Sequence, residues 1–553
     1  MPEAELSAVG LGPLDYATIA AYMLGTFGIA LWFSRKQKTT EDFFVGGRSM
    51  PWFAVGLSIL ATLFSTLTYT ALPGEIIGKG IGFIFGYLGL PLAAFVIMKF
   101  WIPFYMRLRL VSAYEYLELR FNAAVRLVGA GLFIALRLGW MSMVVFAASL
   151  ALDQVKGGDF QWLPGNDLYW IIGIIGVTAA VYTSVGGIQA MIWIDVLQCL
   201  LLLTGVLLAI GFVAFKDGTG PADWLASAKS HGLGSIEFVD FNITTRVTMI
   251  TALISIFFWE ICTHGSDQVV LQRYFSTPSL QAARKSYMSN LIVNLTMAGL
   301  LTIAGLALLS FSLNHADFWP TDAQGKRLGA DRLLHHFLGN ELPEGLAGLI
   351  IAAFLCDAIQ TLEAGVNSIT AVATNDIVPR LRRGGERKFT ELQFARLLVV
   401  GITVIVTANA YLAADFTQRS SYSLIELLPK FFNMFVGPLA SLFFVGMFIP
   451  RATARSALPA VAVGMIVALL WNWWPEFGGT QLAWYQTLFN STDRPTFTLA
   501  IALPTLTTLG TAAVLSRIVE RGGPHSGLDF TWRSVIRRLP ENPPAPESAG
   551  AER

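Results

Sequence analysis

Apolar runs of about 20 residues or more recur along this chain, the length a helix needs to cross ~30 Å of hydrocarbon. They make it an all-α integral membrane protein, and composition agrees. Of 553 residues, 54% are hydrophobic and only 14% charged, where a soluble chain carries about a quarter charged residues. The same length criterion predicts about 13 transmembrane helices. They fall near 14–34, 52–78, 80–108, 122–152, 167–185, 188–215, 244–263, 286–312, 344–372, 393–413, 422–449, 455–474 and 496–519.

Basic residues set the expected orientation. SRKQK (34–38), Arg120 and Arg126, QAARKS (281–286), RLRRGGERK (380–388) and RATAR (451–455) fall in alternate connections. Lys and Arg collect on the cytoplasmic side, so the N-terminus is expected outside and the C-terminus inside, in the plasma membrane (the cell inner membrane). MPEAELSAVG has no basic stretch ahead of an apolar one, so no cleavable signal peptide is expected and the first helix stays as an anchor. No connection is long enough for a catalytic domain. The Pro-rich tail from 520 to 553 is expected to be disordered and cytoplasmic. Cys199, Cys262 and Cys356 all lie in predicted spans, which excludes a disulfide framework and a Cys-rich metal site. A net charge of +1 gives no sign of a nucleic-acid partner.

The informative residues are the polar ones inside the spans. An ionised side chain at mid-bilayer costs at least ~2.5–3.5 kcal/mol, yet Arg137, Asp195, Glu260, Asp357 and Glu363 all sit there. They must line a cavity, pair with one another or hold an ion. In FLCDAIQTLEAGVNSITAVATND (354–376), at ~100° per residue, Asp357, Thr361, Ala364 and Ser368 share one face. Gln360 and Asn367 lie beside them and Glu363 at the edge. Oxygen-rich stripes of this kind suit hard cations. A second polar segment, WFAVGLSILATLFSTLTYTALPGEIIGKG from Trp52, mixes hydroxyls, small residues and Pro73-Gly74. It suits a discontinuous helix, broken at Pro73-Gly74, whose unwound backbone offers carbonyls to an ion.

Six stretches taken together resemble the sodium/solute symporter family, whose members carry proline, sugars, sialic acid, iodide and vitamins. They are EDFFVGGRSMPWFAVGLS (41–58), ALPGE (71–75), SAYEYLELRF (112–121), YTSVGGIQAMIWIDVLQ (182–198), GSDQVVLQRYFS (265–276) and NSITAVATNDI (367–377). The resemblance covers roughly residues 10–520. It implies a LeuT-like core of two inverted five-helix repeats, 52–215 and 244–449. The 14–34 helix and two C-terminal helices in 455–519 would be peripheral, and residues 1–13 extracellular. It places the main sodium site at the carbonyls of Ala61, Phe64 and Asp357 and at the side chains of Gln360 and Thr361. Gln360 stands where the family has a hydroxyl. Asp195 and Glu363 fall at a second ion site or ion path, where Glu363 again replaces a hydroxyl. Solute contacts map to Thr68, Glu260 and Thr263, with His264 adjacent. Arg137 is the expected charge partner of Asp357, Glu363 or Glu260.

The function implied is secondary active symport of a small organic solute by alternating access, with sodium as the coupling ion. Proton coupling, uncoupled transport and a transporter-like sensor remain as alternatives. No nucleophile–base pair or metal cluster argues for an enzyme, no cofactor is expected, and solute identity and oligomeric state stay open.

Overall fold

The computed structural model describes residues 12–155, 167–315, 318–319, 327, 329–330, 333–381, 390–419, 424–489, 495–520 and 527–541, apart from 36, 38, 65, 235–237, 241, 243, 342, 344, 475 and 476. The regular structure of these residues is helical. The long elements are α1 (Pro13–Ser34), α2 (Trp52–Leu63), α3 (Thr66–Lys79), α4 (Ala123–Val155) and α5 (Asp167–Asp217). They continue with α6 (Met249–Ser266), α7 (Gln268–Phe275), α8 (Leu280–Asn314), α9 (Leu346–Val372) and α10 (Glu391–Arg419). The series closes with α11 (Leu424–Phe448), α12 (Ala454–Trp473), α13 (Ala502–Ile518) and a short α14 (Trp532–Arg538).

Among the described residues, ten helices are long and apolar enough to cross a membrane. Trp52–Leu63, Leu168–Ser184 and Phe432–Phe448 are shorter apolar segments. The two spans expected at 167–185 and 188–215 are two helices that meet at a sharp break within α5. Gly187 adopts φ 58° there, a left-handed geometry that favours glycine. Gly187 also lies against the Gln37 amide, 2.7 Å from where a Cβ would stand.

Burial separates core from periphery. In the most apolar stretch of α9, 83% of the residues are buried, against 11% for α1. The polar helix of the sequence is therefore the central one, packed on α5, α4, α1, α10 and α2. Its oxygens face protein rather than lipid, as the cost of polar groups in hydrocarbon demands.

α1 is tied to that centre by one carboxylate. Asp15 Oδ1 accepts from the backbone N–H of Gly345 and of Gly348, both at 2.7 Å, and so caps the start of α9 from another helix. The approach needs Gly348, because a Cβ there would lie 2.4 Å from Asp15 Cα. Asp15→Ala should cost about 1 kcal/mol, the typical value of a lost cap. Gly348→Ala should cost more, because the clash is with backbone. Melting of the detergent-purified variants checks the order.

The tail departs from expectation. Within 520–553, residues 527–541 are folded, and 542–553 lie outside the described residues, as do 1–11 of the expected extracellular N-terminus. Trp532 Nε1 donates to the Phe100 carbonyl at 3.1 Å, and Arg107 holds the Leu539 carbonyl at 3.2 Å and the Glu541 carboxylate at 3.1 Å. Composition alone pointed to disorder here. One tryptophan and one buried arginine supply anchors that composition does not register.

Candidate ion and solute site

Two helices are interrupted inside the bundle. α2 stops at Leu63, Phe64 takes φ −98° and ψ 83°, and α3 starts at Thr66. The break is at Phe64 and not at Pro73-Gly74, because Pro73 lies within α3. There α8 packs against it closely: a Cβ on Gly305 would lie 3.0 Å from the Pro73 carbonyl oxygen. The last carbonyls of a helix lack intrahelical donors, so the end of α2 presents oxygens at a buried point. Ala61 and Phe64 are both buried. The second interruption lies between α6 and α7 at Asp267 (φ −82°, ψ 118°), whose Oδ1 accepts from Val269 N at 3.0 Å and caps α7.

α9 packs directly against α2, and its polar stripe carries several buried oxygens with no hydrogen-bond partner. They are Gln360 Oε1, Thr361 Oγ1, both carboxylate oxygens of Glu363, and Asn367 Oδ1. Buried polar atoms are almost always satisfied in folded proteins, so a row of orphans on one helix marks a place for a ligand. Asp357 behaves differently. Its Oδ1 accepts from Gln198 Nε2 at 2.9 Å, so its side chain turns towards α5 and only its carbonyl remains for the ion role implied by the family. Glu363 is fully buried beside Gly186, where a Cβ would stand 3.2 Å from Glu363 Oε1.

The buried charges pair otherwise than expected. Arg137 is ion-paired with Asp267 at the α6–α7 interruption, and not with Asp357, Glu363 or Glu260. Asp195 is held by Arg273 Nη2 at 3.0 Å and by the Ser58 hydroxyl, to which Arg273 Nε also donates at 2.7 Å. Asp195 thus has its charge balanced and ties α5, α7 and α2 together. Asp267 and Arg273 escaped the sequence reading because α7 is too short for a span-length window. The signal was in GSDQVVLQRYFS, a stretch noted for its resemblance and not for its charges.

Of the expected solute residues, Thr263 Oγ1 is buried without a partner, and Thr68 is half-buried on α3. Glu260 and His264 lie one helical turn apart, with Oε2 and Nε2 at 2.8 Å. Trp259, beside Glu260, packs on Phe432 (centroids 4.5 Å), which in turn meets Trp140 at 5.0 Å. These groups come from α3, α4, α6 and α11.

A multi-pass helical bundle with two interrupted helices, and a helix carrying unpaired oxygens packed against both, fits a secondary transporter for a small cation and a solute. The sequence matches the sodium:solute symporter family over residues 43–464, and the chain belongs to that family. A sodium/sialic acid symporter of Aliivibrio fischeri is 28% identical over 84% of this chain and 89% of its own length. One from Proteus mirabilis is 29% identical over 83% and 89%. The human sodium/iodide cotransporter is 28% identical over 85% and 70%. A solved sodium-coupled sialic acid symporter, in a substrate-bound outward-open state, superposes with TM-score 0.76 at 25% identity, covering 93% of this chain and 99% of that one. The fold is therefore LeuT-like, with two inverted five-helix repeats, and the chain is a sodium-coupled symporter of small organic solutes.

Proposed function

We propose that sodium sits between the end of α2 and the middle of α9, held by the Ala61, Phe64 and Asp357 carbonyls and by Thr361 Oγ1, with Gln360 Oε1 where the family has a second hydroxyl. The observation that carries this assignment is the pair of buried, unpartnered oxygens on Gln360 and Thr361, on the helix that packs against the broken α2. Oxygen ligands at a water-poor site suit a hard monovalent cation. Glu363 places two further unpartnered oxygens beyond the site, along the ion path.

The solute binds beside the interruptions, in contact with Thr68, Thr263 and the Trp259–Phe432–Trp140 aromatic wall, with Glu260 and His264 behind it. Residues 52–215 and 244–449 move against each other around that point. Sodium favours the outward-facing arrangement, and its differential affinity for the two arrangements is what drives uptake. The N-terminus lies outside, in the plasma membrane, and the basic loops inside.

Relatives carry sialic acid, iodide or, in a human member, monocarboxylates, so the first solutes to test are small anions, with neutral sugars as the comparison. Proteoliposomes with sodium outside should accumulate one of them against its gradient, and potassium in place of sodium should abolish the accumulation. Equal uptake in the two salts would refute sodium coupling.

A further inference from the structure

The buried carboxylates of the bundle divide by partner. Asp195 is paired with Arg273, Asp267 with Arg137 and Asp376 with Arg126. Glu363 and Asp357 lie on the helix that holds the proposed cation. Glu260 has a histidine. Its Oε2 lies 2.8 Å from His264 Nε2, and the side chains of the two are 4% and 0% exposed. The approach is off-line for a hydrogen bond, and both atoms stand without a well-directed partner. The other ring nitrogen, Nδ1, is 2.5 Å from the Tyr274 hydroxyl.

Among the described residues, no lysine or arginine is ion-paired with this group. The His264 ring packs on Tyr274 of α7 and Tyr287 of α8, with centroids 5.9 and 5.0 Å apart. The segment Gly89–Val96, which also packs on α6, brings no ionisable residue. The lysines of neighbouring elements point elsewhere: Lys99 lies over Phe95 and Phe100, and Lys430 over Trp473. Cys262, on α6 itself, contacts Thr505 of α13.

The proton count follows. If Tyr274 donates to Nδ1, the single ring proton of a neutral histidine is on Nε2, facing an ionised carboxylate, and the trio carries −1 in a water-poor interior. That charge is expensive there. One proton taken from solution, shared between imidazole and carboxylate, makes the trio neutral. Histidine is the side chain whose charge changes near physiological pH.

We propose that Glu260, His264 and Tyr274 form a proton-binding site, making the proton a ligand of this transporter in addition to sodium and solute. Glu260 and His264 belong to α6 and Tyr274 to α7, so the chain of contacts bridges the joint at Asp267. A proton bound there biases the angle between the two half-helices, and its consequence for uptake rests on the transport mechanism proposed above.

The site can be tested without solute and without sodium. Trp259 lies next to Glu260 in sequence, and its signal among the 15 tryptophans is read as the difference from a Trp259→Phe control. In nanodiscs with choline as the only added cation, the wild type should show a one-proton fluorescence step on acidification. Glu260→Gln and His264→Gln should each abolish the step. Tyr274→Phe should retain it, displaced by several-fold in proton affinity, the scale of one hydrogen bond of about 1 kcal/mol. Persistence of the step in both glutamine variants, or no step in the wild type, would overturn the proposal. If one glutamine variant is not monodisperse, the other and Tyr274→Phe decide. Since no uptake is measured, the result stands apart from whether sodium drives transport.

Discussion

With sodium at the proposed site, Thr361→Val should weaken its binding by about 10- to 150-fold. The substitution keeps the shape of the side chain and removes one oxygen. Interactions with charged groups are worth about 1.5–3 kcal/mol each, and each 1.4 kcal/mol is about a factor of ten in affinity. Thr361 Oγ1 is buried and has no protein partner, so no hydrogen bond within the protein is lost. The whole effect then falls on the ligand. Thr361→Ser keeps the oxygen and should stay close to wild type. The readout is stabilisation by sodium, which follows RT ln(1 + [L]/Kd) for a ligand that binds only the folded state. The sodium-dependent rise in melting temperature of the purified protein should need far more salt in Thr361→Val. An unchanged sodium titration in that variant would remove Thr361 from the site. A choline titration provides the ionic-strength control.

The spans were legible because hydrocarbon thickness imposes a length and apolar side chains satisfy it. The centrality of α9 was legible for the converse reason, since a stripe of Asp357, Gln360, Thr361, Glu363, Asn367 and Ser368 cannot face lipid. What failed were features set by tertiary contact. Pro73-Gly74 carries the strongest local breaking signal in its segment, yet α3 runs through it. The actual interruption at Phe64 has no proline or glycine to announce it. It persists because the surrounding helices fix it, a case where packing overrides local propensity. Charge pairing failed for a related reason. Arg137 reaches Asp267 across the bundle, and nothing in the spacing of two residues 130 positions apart predicts the contact. Half-helices such as α7, with eight residues, fall below any window tuned to whole spans, so their charges were not weighed as buried ones.

Removal of Arg273 should destabilise the bundle by about 3–5 kcal/mol, the usual cost of stranding one member of a buried ion pair. The guanidinium is 1% exposed and serves three elements at once. Nη2 meets Asp195 of α5 at 3.0 Å, Nε meets Ser58 of α2 at 2.7 Å, and Nη1 holds the Val269 carbonyl of its own helix at 2.9 Å. In Arg273→Gln the Asp195 carboxylate would keep only the Ser58 hydroxyl among the contacts described. The variant should yield less monodisperse protein and melt at a lower temperature. Asp195→Asn in the same chain removes the stranded charge and should restore most of the loss. This recovery separates an ion-pair role from a simple packing role, since losing a second packed side chain gives no reason for stability to return. Full additivity of the two substitutions would show that Arg273 and Asp195 do not depend on each other. The same cycle bears on transport. If the pair only holds α2, α5 and α7 in register, the double variant regains sodium-dependent stabilisation along with its fold. If Asp195 also attracts the incoming ion, the double variant regains the fold and remains weaker for sodium.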